Sequence, residues 1–154
     1  MYEFYVGTTP KDPPGNIVKV CLDSDGQLVD KSYYEAVSPA YLCRKGSCIY
    51  AVIENADFGG VQVFDVNKNG SLTAKARLDT EDVYSTYISA EKRGNRIFVA
   101  NYGTPSCAVY RYEAEKLVQE SVLREKKTEK SHIHCAALTP EEAYVCLVDV
   151  GTDE

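Results

Sequence analysis

Arg96–Gly103, with the sequence RIFVANYG, is a short apolar run that ends in a polar residue, a tyrosine and a glycine. Three further stretches of the chain repeat this pattern. The four runs close at Gly7, Glu54, Asn101 and Asp149, which lie 47, 47 and 48 residues apart. A nearly constant period of this size is typical of repeat proteins, in which each repeat is one supersecondary unit.

Each repeat has the pattern of β-strands joined by turns. Asp23–Gly26 and Asn67–Gly70 are strong turn sequences between strand-like runs. Ile97–Ala100 and Ala143–Val148 are apolar at consecutive positions, which is typical of strands buried on both faces. We predict no helix. Glu113–Lys127 has a helical composition, but it lies where the other units have a hairpin.

These features predict an all-β fold, a β-propeller whose blades each contain four antiparallel strands. We assign residues 1–37 to an incomplete blade, 38–84 and 85–130 to two blades, and 131–154 to the start of the next. This is a little over three blades, whereas propellers close with about four to eight. Two interpretations follow: the chain is part of a longer protein, or copies associate through their open blade faces.

The composition excludes several classes of protein. The 154 residues are 44% hydrophobic with a net charge of −6, which argues against nucleic acid or an anionic membrane as a main partner. We find no signal peptide and no apolar run of membrane length. None of the six cysteines forms a Cys-x-x-Cys pair. We therefore predict reduced, buried thiols in a cytoplasmic protein.

The innermost strand of a propeller blade lines the central channel. Aligned by period, Tyr41, Tyr87 and His134 correspond, at separations of 46 and 47 residues. His132 lies two positions before His134, and strand side chains alternate, so both imidazoles are expected on one face. They are the only two histidines in the chain. We expect them to face the channel, where a propeller binds its ligand.

Structural roles compete with each of these assignments. The two histidines could equally be hydrogen-bonded structural residues. His-x-His with Cys135 or Asp149 could bind a metal, but a single pair is weak support, and we predict neither metal nor cofactor. Glu54, Asn101 and Asp149 could satisfy backbone groups at strand ends, an interpretation that we favour for Asp149.

Three lysines precede the histidine strand, at Lys126, Lys127 and Lys130. They could steer a phosphate group towards the histidines. The competing interpretation is an ordinary solvated run of charge.

Several stretches of the chain, in the same order, resemble the lactonase family of seven-bladed propellers. This family includes propeller-type 6-phosphogluconolactonases and carboxymuconate lactonizing enzymes. The resemblance covers the whole chain, and the matching stretches are Phe4–Thr8, Ser38–Leu42, Tyr50–Glu54, Val99–Gly103, Ser131–His134 and Val148–Gly151.

The resemblance implies that the chain corresponds to the N-terminal half, or slightly less, of such a propeller. The family's His-x-His corresponds to His132 and His134, and its Asn-Tyr-Gly to Asn101–Gly103. The chain departs from the family at Tyr87, where members often carry a histidine. The arginine and glutamate that complete the family's site lie in blades that this chain does not contain.

The function that the resemblance implies is hydrolysis of 6-phosphogluconolactone to 6-phosphogluconate in the pentose phosphate pathway. Lactone hydrolysis needs a base, oxyanion donors and cations for the phosphate. We expect His132 or His134 to act as the base, and expect the chain alone to be inactive or nearly so. The predicted substrate-binding residues are Asn101, Tyr102, Glu54 and Lys130. The alternative is a non-catalytic propeller that serves as a binding or scaffold module.

Overall fold

The computed structural model describes residues 1–9, 15–124 and 128–153, which form thirteen β-strands and no helix. The predicted all-β fold is therefore confirmed. No helix in these residues is long and apolar enough to span a membrane. Residues 10–14, which include three prolines, lie outside the described residues, as does the pair Lys126 and Lys127 noted in the sequence.

The strands form four antiparallel sheets that contain three, four, four and two strands, and in each sheet neighbours in sequence are neighbours in space. The strands are β1 (Tyr2–Gly7), β2 (Gly15–Leu22) and β3 (Leu28–Ala36) in the first sheet; β4 (Leu42–Lys45), β5 (Cys48–Val52), β6 (Gly59–Val66) and β7 (Leu72–Thr80) in the second; β8 (Ser85–Ala90), β9 (Arg96–Asn101), β10 (Ser106–Glu113) and β11 (Lys116–Arg124) in the third; and β12 (Ile133–Leu138) and β13 (Val145–Asp149) in the fourth.

A hairpin replaces the helix that the composition of Glu113–Lys127 would allow. β10 and β11 pair in register from Glu113 with Lys116 outwards. Ala114 and Glu115 connect them with φ angles of 49° and 61°. Positive φ at both central residues is the signature of a type I′ turn, whose twist matches that of the flanking strands. Tertiary pairing thus outweighs the helical propensity of this segment up to Arg124, the last residue described before the gap.

The sheets pack face to face, and their middle strands are buried on both sides. On β5, Ile49 and Ala51 pack towards the first sheet, whereas Tyr50 and Val52 pack towards the third. On β9, alternate residues likewise contact the second and the fourth sheets. Burial of both faces explains why these runs are apolar at consecutive positions, as predicted for Ile97–Ala100.

The fourth sheet differs because the described residues cover only one of its faces, and the prediction that Ala143–Val148 is buried on both faces is therefore wrong. Val145 and Leu147 of β13 pack against the third sheet. The side chains between and after them, Cys146 and Val148, are exposed. The first sheet shows the same asymmetry: Tyr5 packs inwards, whereas Phe4 and its neighbours on the same face are exposed. Both ends of the stack therefore present an uncovered apolar face.

Candidate functional site

A cleft of about 340 Å³ lies where the ends of three sheets meet, and Glu54, Tyr84, Thr86, Tyr102 and His134 line it. Glu54 and Tyr102 follow the ends of β5 and β9, the middle strands of their sheets. The other three residues lie just before or near the start of the inner strands β8 and β12. The repeat brings these positions together, because equivalent strand ends of neighbouring sheets lie along the same edge of the stack.

Two β-bulges shape this cleft. The ladder between β8 and β9 shifts between Ser85 and Tyr87, and Thr86 is the extra residue. The ladder between β12 and β13 shifts in the same way between Ile133 and Cys135, with His134 as the extra residue. A bulge breaks the alternation of a strand and can re-aim a side chain, which is why bulges are common next to active sites.

The bulges correct one step of the sequence alignment. Ser85 pairs with Asn101 as Ile133 pairs with Asp149, so the two sheets are related by 48 residues. The structural counterpart of His134 is therefore Thr86, and not Tyr87 as the period of 47 suggested. Tyr87 instead stacks on Tyr41, with ring centroids 4.4 Å apart. Burial and a hydrogen bond with Tyr41 raise the pKa of Tyr87 to about 12.

Tyr102 lies between the two histidines. The imidazole of His132 stacks on its ring, with centroids 4.1 Å apart and planes 5° from parallel. His134 meets the same ring at its edge, at 6.1 Å and 89°. Both imidazoles thus contact the ring of Tyr102. Strand alternation does not explain this arrangement, because the bulge at His134 interrupts the alternation. His134 is exposed, whereas His132 is half-buried.

Three hydrogen bonds hold His132 in place. Its backbone N–H donates to Asp149 Oδ1 at 2.8 Å, and its carbonyl accepts from Val150 at 3.0 Å. Its Nδ1 lies 2.9 Å from the carbonyl oxygen of Tyr102. Because a carbonyl oxygen only accepts, this bond requires the proton on Nδ1, and it leaves a lone pair on Nε2 when the ring is neutral.

Asp149 caps the backbone next to His132, as the sequence indicated. Burial opposes its charge, but hydrogen bonds from the amides of His132 and Gly151 outweigh that effect and lower the pKa of Asp149 to about 2. A carboxylate that accepts several backbone N–H bonds is stabilised in its charged form. Asp149 therefore remains ionised at neutral pH and orients the start of β12.

Asn101 does not reach the cleft. Its side chain is fully buried. Its Oδ1 accepts from Ser85 at 2.7 Å, and its Nδ2 donates to Ser106 at 2.9 Å. Both ends of the amide are therefore occupied in linking β8, β9 and β10, and the structure gives Asn101 a structural position instead of the predicted contact with substrate.

The remaining predicted residues divide between the cleft and the surface. Glu54 lines the cleft, and its backbone N–H donates to Ser38 at 3.0 Å. Lys130 is exposed and lies outside the cleft lining. Its backbone approaches Gly151 so closely that a Cβ there would lie 1.4 Å from the Lys130 carbonyl oxygen. The structure thus brings together Glu54, Tyr102 and the histidines, but not Asn101 or Lys130.

Sequence reasoning missed two residues of the cleft, Tyr84 and Thr86. The backbone repeat offered a signal for Tyr84. In three successive sheets, a backbone carbonyl before the first strand accepts a hydrogen bond from an amide after the second strand. The acceptor and donor pairs are Ser38 and Glu54, Tyr84 and Tyr102, and His132 and Val150. Extending the period to the residues before the inner strands would have found Tyr84. Thr86 depends on the bulge, which has no comparable signature in the sequence.

A metal site is not formed by the described parts of the chain. Within residues 1–9, 15–124 and 128–153, no three His, Cys, Asp or Glu side chains converge in a geometry suited to an ion. Asp149 is occupied with backbone amides. Cys135 lies beside Tyr87, and burial raises the pKa of its thiol. All six cysteines are free thiols.

Comparison with known proteins identifies the family. The family model described as lactonase, 7-bladed beta-propeller, matches residues 3–154. The chain belongs to this lactonase family. Membership agrees with the antiparallel sheets, two of which have four strands.

The relatives within the lactonase family are longer proteins. The chain is 29% identical over 166 residues to the 6-phosphogluconolactonase of Bacillus subtilis strain 168, covering 99% of this chain and 48% of that protein. The structure of the Pseudomonas aeruginosa periplasmic gluconolactonase PpgL superposes with a TM-score of 0.83 at 22% identity, covering 97% of this chain and 47% of that one. A Bacteroides fragilis protein gives a TM-score of 0.79 at 23% identity, with coverages of 96% and 45%. The chain spans about half the length of these relatives.

Proposed function

We propose that the cleft binds a sugar lactone and contributes to its hydrolysis, with 6-phosphogluconolactone as substrate and 6-phosphogluconate as product. Membership of the lactonase family and the likeness to the Bacillus subtilis enzyme support this proposal. The observation that carries it is the convergence of an exposed imidazole, a carboxylate and tyrosine rings on one cleft. We assign the reaction to the pentose phosphate pathway in the cytoplasm.

Hydrolysis of a lactone begins when water attacks the ring carbonyl and a base removes the proton of that water. His134 is the base in this proposal, because it lines the cleft and is exposed. His132 is the alternative base, since the hydrogen bond to Tyr102 leaves its Nε2 free to accept a proton. In the first case His132 supports the cleft through its stack on Tyr102.

The other polar groups position the substrate. Glu54 supplies a carboxylate that can accept hydrogen bonds from sugar hydroxyls, and the Tyr102 ring forms one wall. No lysine or arginine of the described residues lines the cleft. In this proposal Lys130 attracts the phosphate from outside the lining, and Asn101 acts indirectly by holding the strands that carry Tyr102 and Thr86.

The two histidines make the proposal testable, because a chain with only two imidazoles gives two resolvable Hε1 signals, one from each ring, in a proton NMR spectrum. The single variants His132→Ala and His134→Ala assign them. Titration with 6-phosphogluconate should shift the His134 signal saturably and the His132 signal less. Turnover is measured in parallel as acid release from 6-phosphogluconolactone at constant pH, corrected for spontaneous opening. Any turnover should fall about a hundredfold or more in His134→Ala.

The controls separate chemistry from folding. His132→Ala removes a ring stack and a hydrogen bond, so its melting temperature should fall, whereas the exposed His134 can be removed with little effect on stability. A larger loss of turnover in a stably folded His132→Ala would assign the base to His132. Absence of any shift in both signals, with no turnover, would refute the proposal.

A second function, a non-catalytic binding module, is favoured by one observation. The described cleft offers a carboxylate and aromatic groups but no cation for a phosphate, and Asn101 is unavailable to orient a substrate. A binding module would show the ligand-induced shift of His134 without turnover under any condition. It would bind gluconate with the same affinity as 6-phosphogluconate, because none of the described lining residues carries a positive charge that could recognise the phosphate.

A further inference from the structure

Tyr84 has an unusual backbone conformation for an aromatic residue. Its φ angle is 52°, in the left-handed region. Its ring is 41% exposed and lines the cleft. For a bulky residue this conformation is a genuine outlier, and residues held in such regions cluster at binding sites.

Groups from two sheets hold Tyr84 in this conformation. Its N–H donates to the carbonyl of Asn55 at 2.9 Å, in the loop after β5, and its carbonyl accepts from Tyr102 at 2.9 Å. Gly103 provides space for both its ring and the side chain of Val83, since a Cβ at Gly103 would lie 2.8 Å from Tyr84 Cδ2 and 2.6 Å from Val83 Cγ2. The position of the ring is therefore determined from both sides.

The repeat shows that the fold does not need an aromatic ring at this position. Ser38 is the counterpart of Tyr84 one sheet earlier, with a φ of 39° and a carbonyl that accepts from Glu54 in the same way. Ser38 is small and buried, whereas Tyr84 is large and exposed. A serine can thus perform the backbone role, and the tyrosine ring adds surface to the cleft without adding to the core.

We propose that Tyr84 is a substrate-binding residue, the platform on which the ring of the sugar lactone rests, and that Gly103 sets the position of this platform. The inference rests on the proposed function. Tyr84, Tyr102 and His134 present aromatic surface around a cleft whose described carboxylate is Glu54. This combination suits a polyhydroxylated ring: its C–H face packs on an aromatic side chain, and its hydroxyls donate to the carboxylate.

The test measures the affinity of the chain for two cyclic probes that keep the six-membered sugar ring and cannot be hydrolysed, 1,5-anhydro-D-glucitol and its 6-phosphate, by isothermal titration calorimetry. Tyr84→Gly keeps the backbone conformation and removes the ring. It should weaken binding of both probes about three- to tenfold. Its melting temperature should stay the same or rise, because glycine accepts positive φ. Tyr84→Phe keeps the ring and should bind within about twofold of the parent chain.

Two further variants keep the inference open to refutation. Tyr84→Ser copies the residue found at Ser38 and replaces Tyr84→Gly should that variant fail to fold. In Gly103→Ala the added Cβ would meet Val83 and the Tyr84 ring, which it should displace without removing it, and binding of both probes should weaken. In any turnover assay, loss of a platform that holds substrate and transition state equally raises KM and leaves kcat unchanged.

The outcomes distinguish this inference from the proposed function. Should the parent chain bind the probes and Tyr84→Gly bind them equally well, Tyr84 is no platform, and the proposed function survives. Weaker binding in Tyr84→Gly accompanied by a lower melting temperature assigns Tyr84 a structural role and also overturns the inference. Should the parent chain bind neither probe, the proposed function falls, and this inference falls with it.

Discussion

Asn101 and Asp149 occupy equivalent ladder positions 48 residues apart, and each joins neighbouring parts of its sheet. Asn101 connects two hydroxyl groups, whereas Asp149 accepts two backbone amides. The difference follows from chemistry, since an amide both donates and accepts but an ionised carboxylate only accepts. In both sheets a buried polar side chain at the end of the second strand supports the neighbouring cleft.

The Asp149 cap predicts a pH dependence of stability. The folded-state pKa of Asp149, about 2, lies below its ordinary value of 3.8. The ionised carboxylate therefore stabilises the fold fully above about pH 4 and progressively less as pH falls towards 2. Asp149→Asn keeps an oxygen acceptor but cannot titrate. The melting temperature, followed by circular dichroism, should fall less steeply between pH 4 and 2 in Asp149→Asn than in the parent chain.

The control for the Asp149 variant is Asp57→Asn, which removes the same charge from an exposed loop. Its pH profile should run parallel to that of the parent chain. Equal slopes for Asp149→Asn and the parent chain would show that the cap contributes nothing to acid stability.

Gly151 predicts a steric effect on the histidine strand. A Cβ added there would meet the Lys130 carbonyl oxygen at 1.4 Å, and this backbone cannot move without shifting His132. Gly151→Ala should therefore lower the melting temperature and move the His132 signal in the NMR spectrum. The comparison is Gly26→Ala, in an exposed turn where a Cβ meets nothing within 4 Å. It should leave both histidine signals unchanged despite the positive φ of 79° there.

Among the strands, β5 and β9 organise the core because both of their faces are covered. Each contributes alternate side chains to two different clusters. The inner strands β8 and β12 instead carry the bulges that place Thr86 and His134. The buried middle strands thus contribute mainly to stability, and the bulged inner strands mainly to the cleft, as is common where a scaffold positions a site.

The doubly buried middle strand predicts a large effect for a single truncation. Ile97→Ala on β9 removes a side chain that is 1% exposed and leaves a cavity between the second and third sheets. The free energy of unfolding should fall by about 2–5 kcal/mol. Val118→Ala on the outer strand β11, where the side chain is 49% exposed, should change it by less than about 0.5 kcal/mol. Denaturant unfolding measures both, and similar losses would contradict the packing described here.

The whole stack exposes apolar surface at both ends. Phe4 and Val6 are 42% and 43% exposed on the outer face of the first sheet, and Val148 is 43% exposed on that of the fourth. In the sheets between them, the corresponding faces are buried against a neighbour. Contiguous exposed apolar surface marks an interaction site or an aggregation liability.

We therefore predict that the purified chain self-associates through these end faces. Light scattering over a range of concentrations should show a mass that rises above the 17.1 kDa monomer. The double variant Phe4→Ser, Val148→Ser should shift the equilibrium towards the monomer. Val118→Ser changes an equally exposed residue on an outer strand and should leave it unchanged. A monomer at all concentrations would refute the prediction.

The period of the apolar runs was sufficient to predict the sheets, because burial of both strand faces leaves consecutive apolar residues that are visible in a single sequence. It also predicted that the histidines lie near the strand-end residues Glu54, Asn101 and Asp149, whereas Tyr102 was predicted from the Asn-Tyr-Gly of the family resemblance. The alignment of Tyr87 with His134 was wrong by one residue. A bulge inserts one residue into a ladder, and nothing in the composition of the strand marks where this happens.

The local pattern of apolar and polar residues predicts the strands and their order, and it predicts that the two histidines lie in one region of the fold. This pattern can be read from the sequence alone. Which side chains reach the cleft depends on contacts between residues far apart in sequence. The sequence does not show that Asn101 is unavailable to a substrate, because its hydrogen-bond partners Ser85 and Ser106 are brought to it by the fold. The period marks the position of Tyr84, but its hydrogen bonds to Asn55 and Tyr102, which hold it at the cleft, depend on the fold. Burial and hydrogen-bond satisfaction are properties of the packed molecule, because they depend on neighbours that only folding supplies.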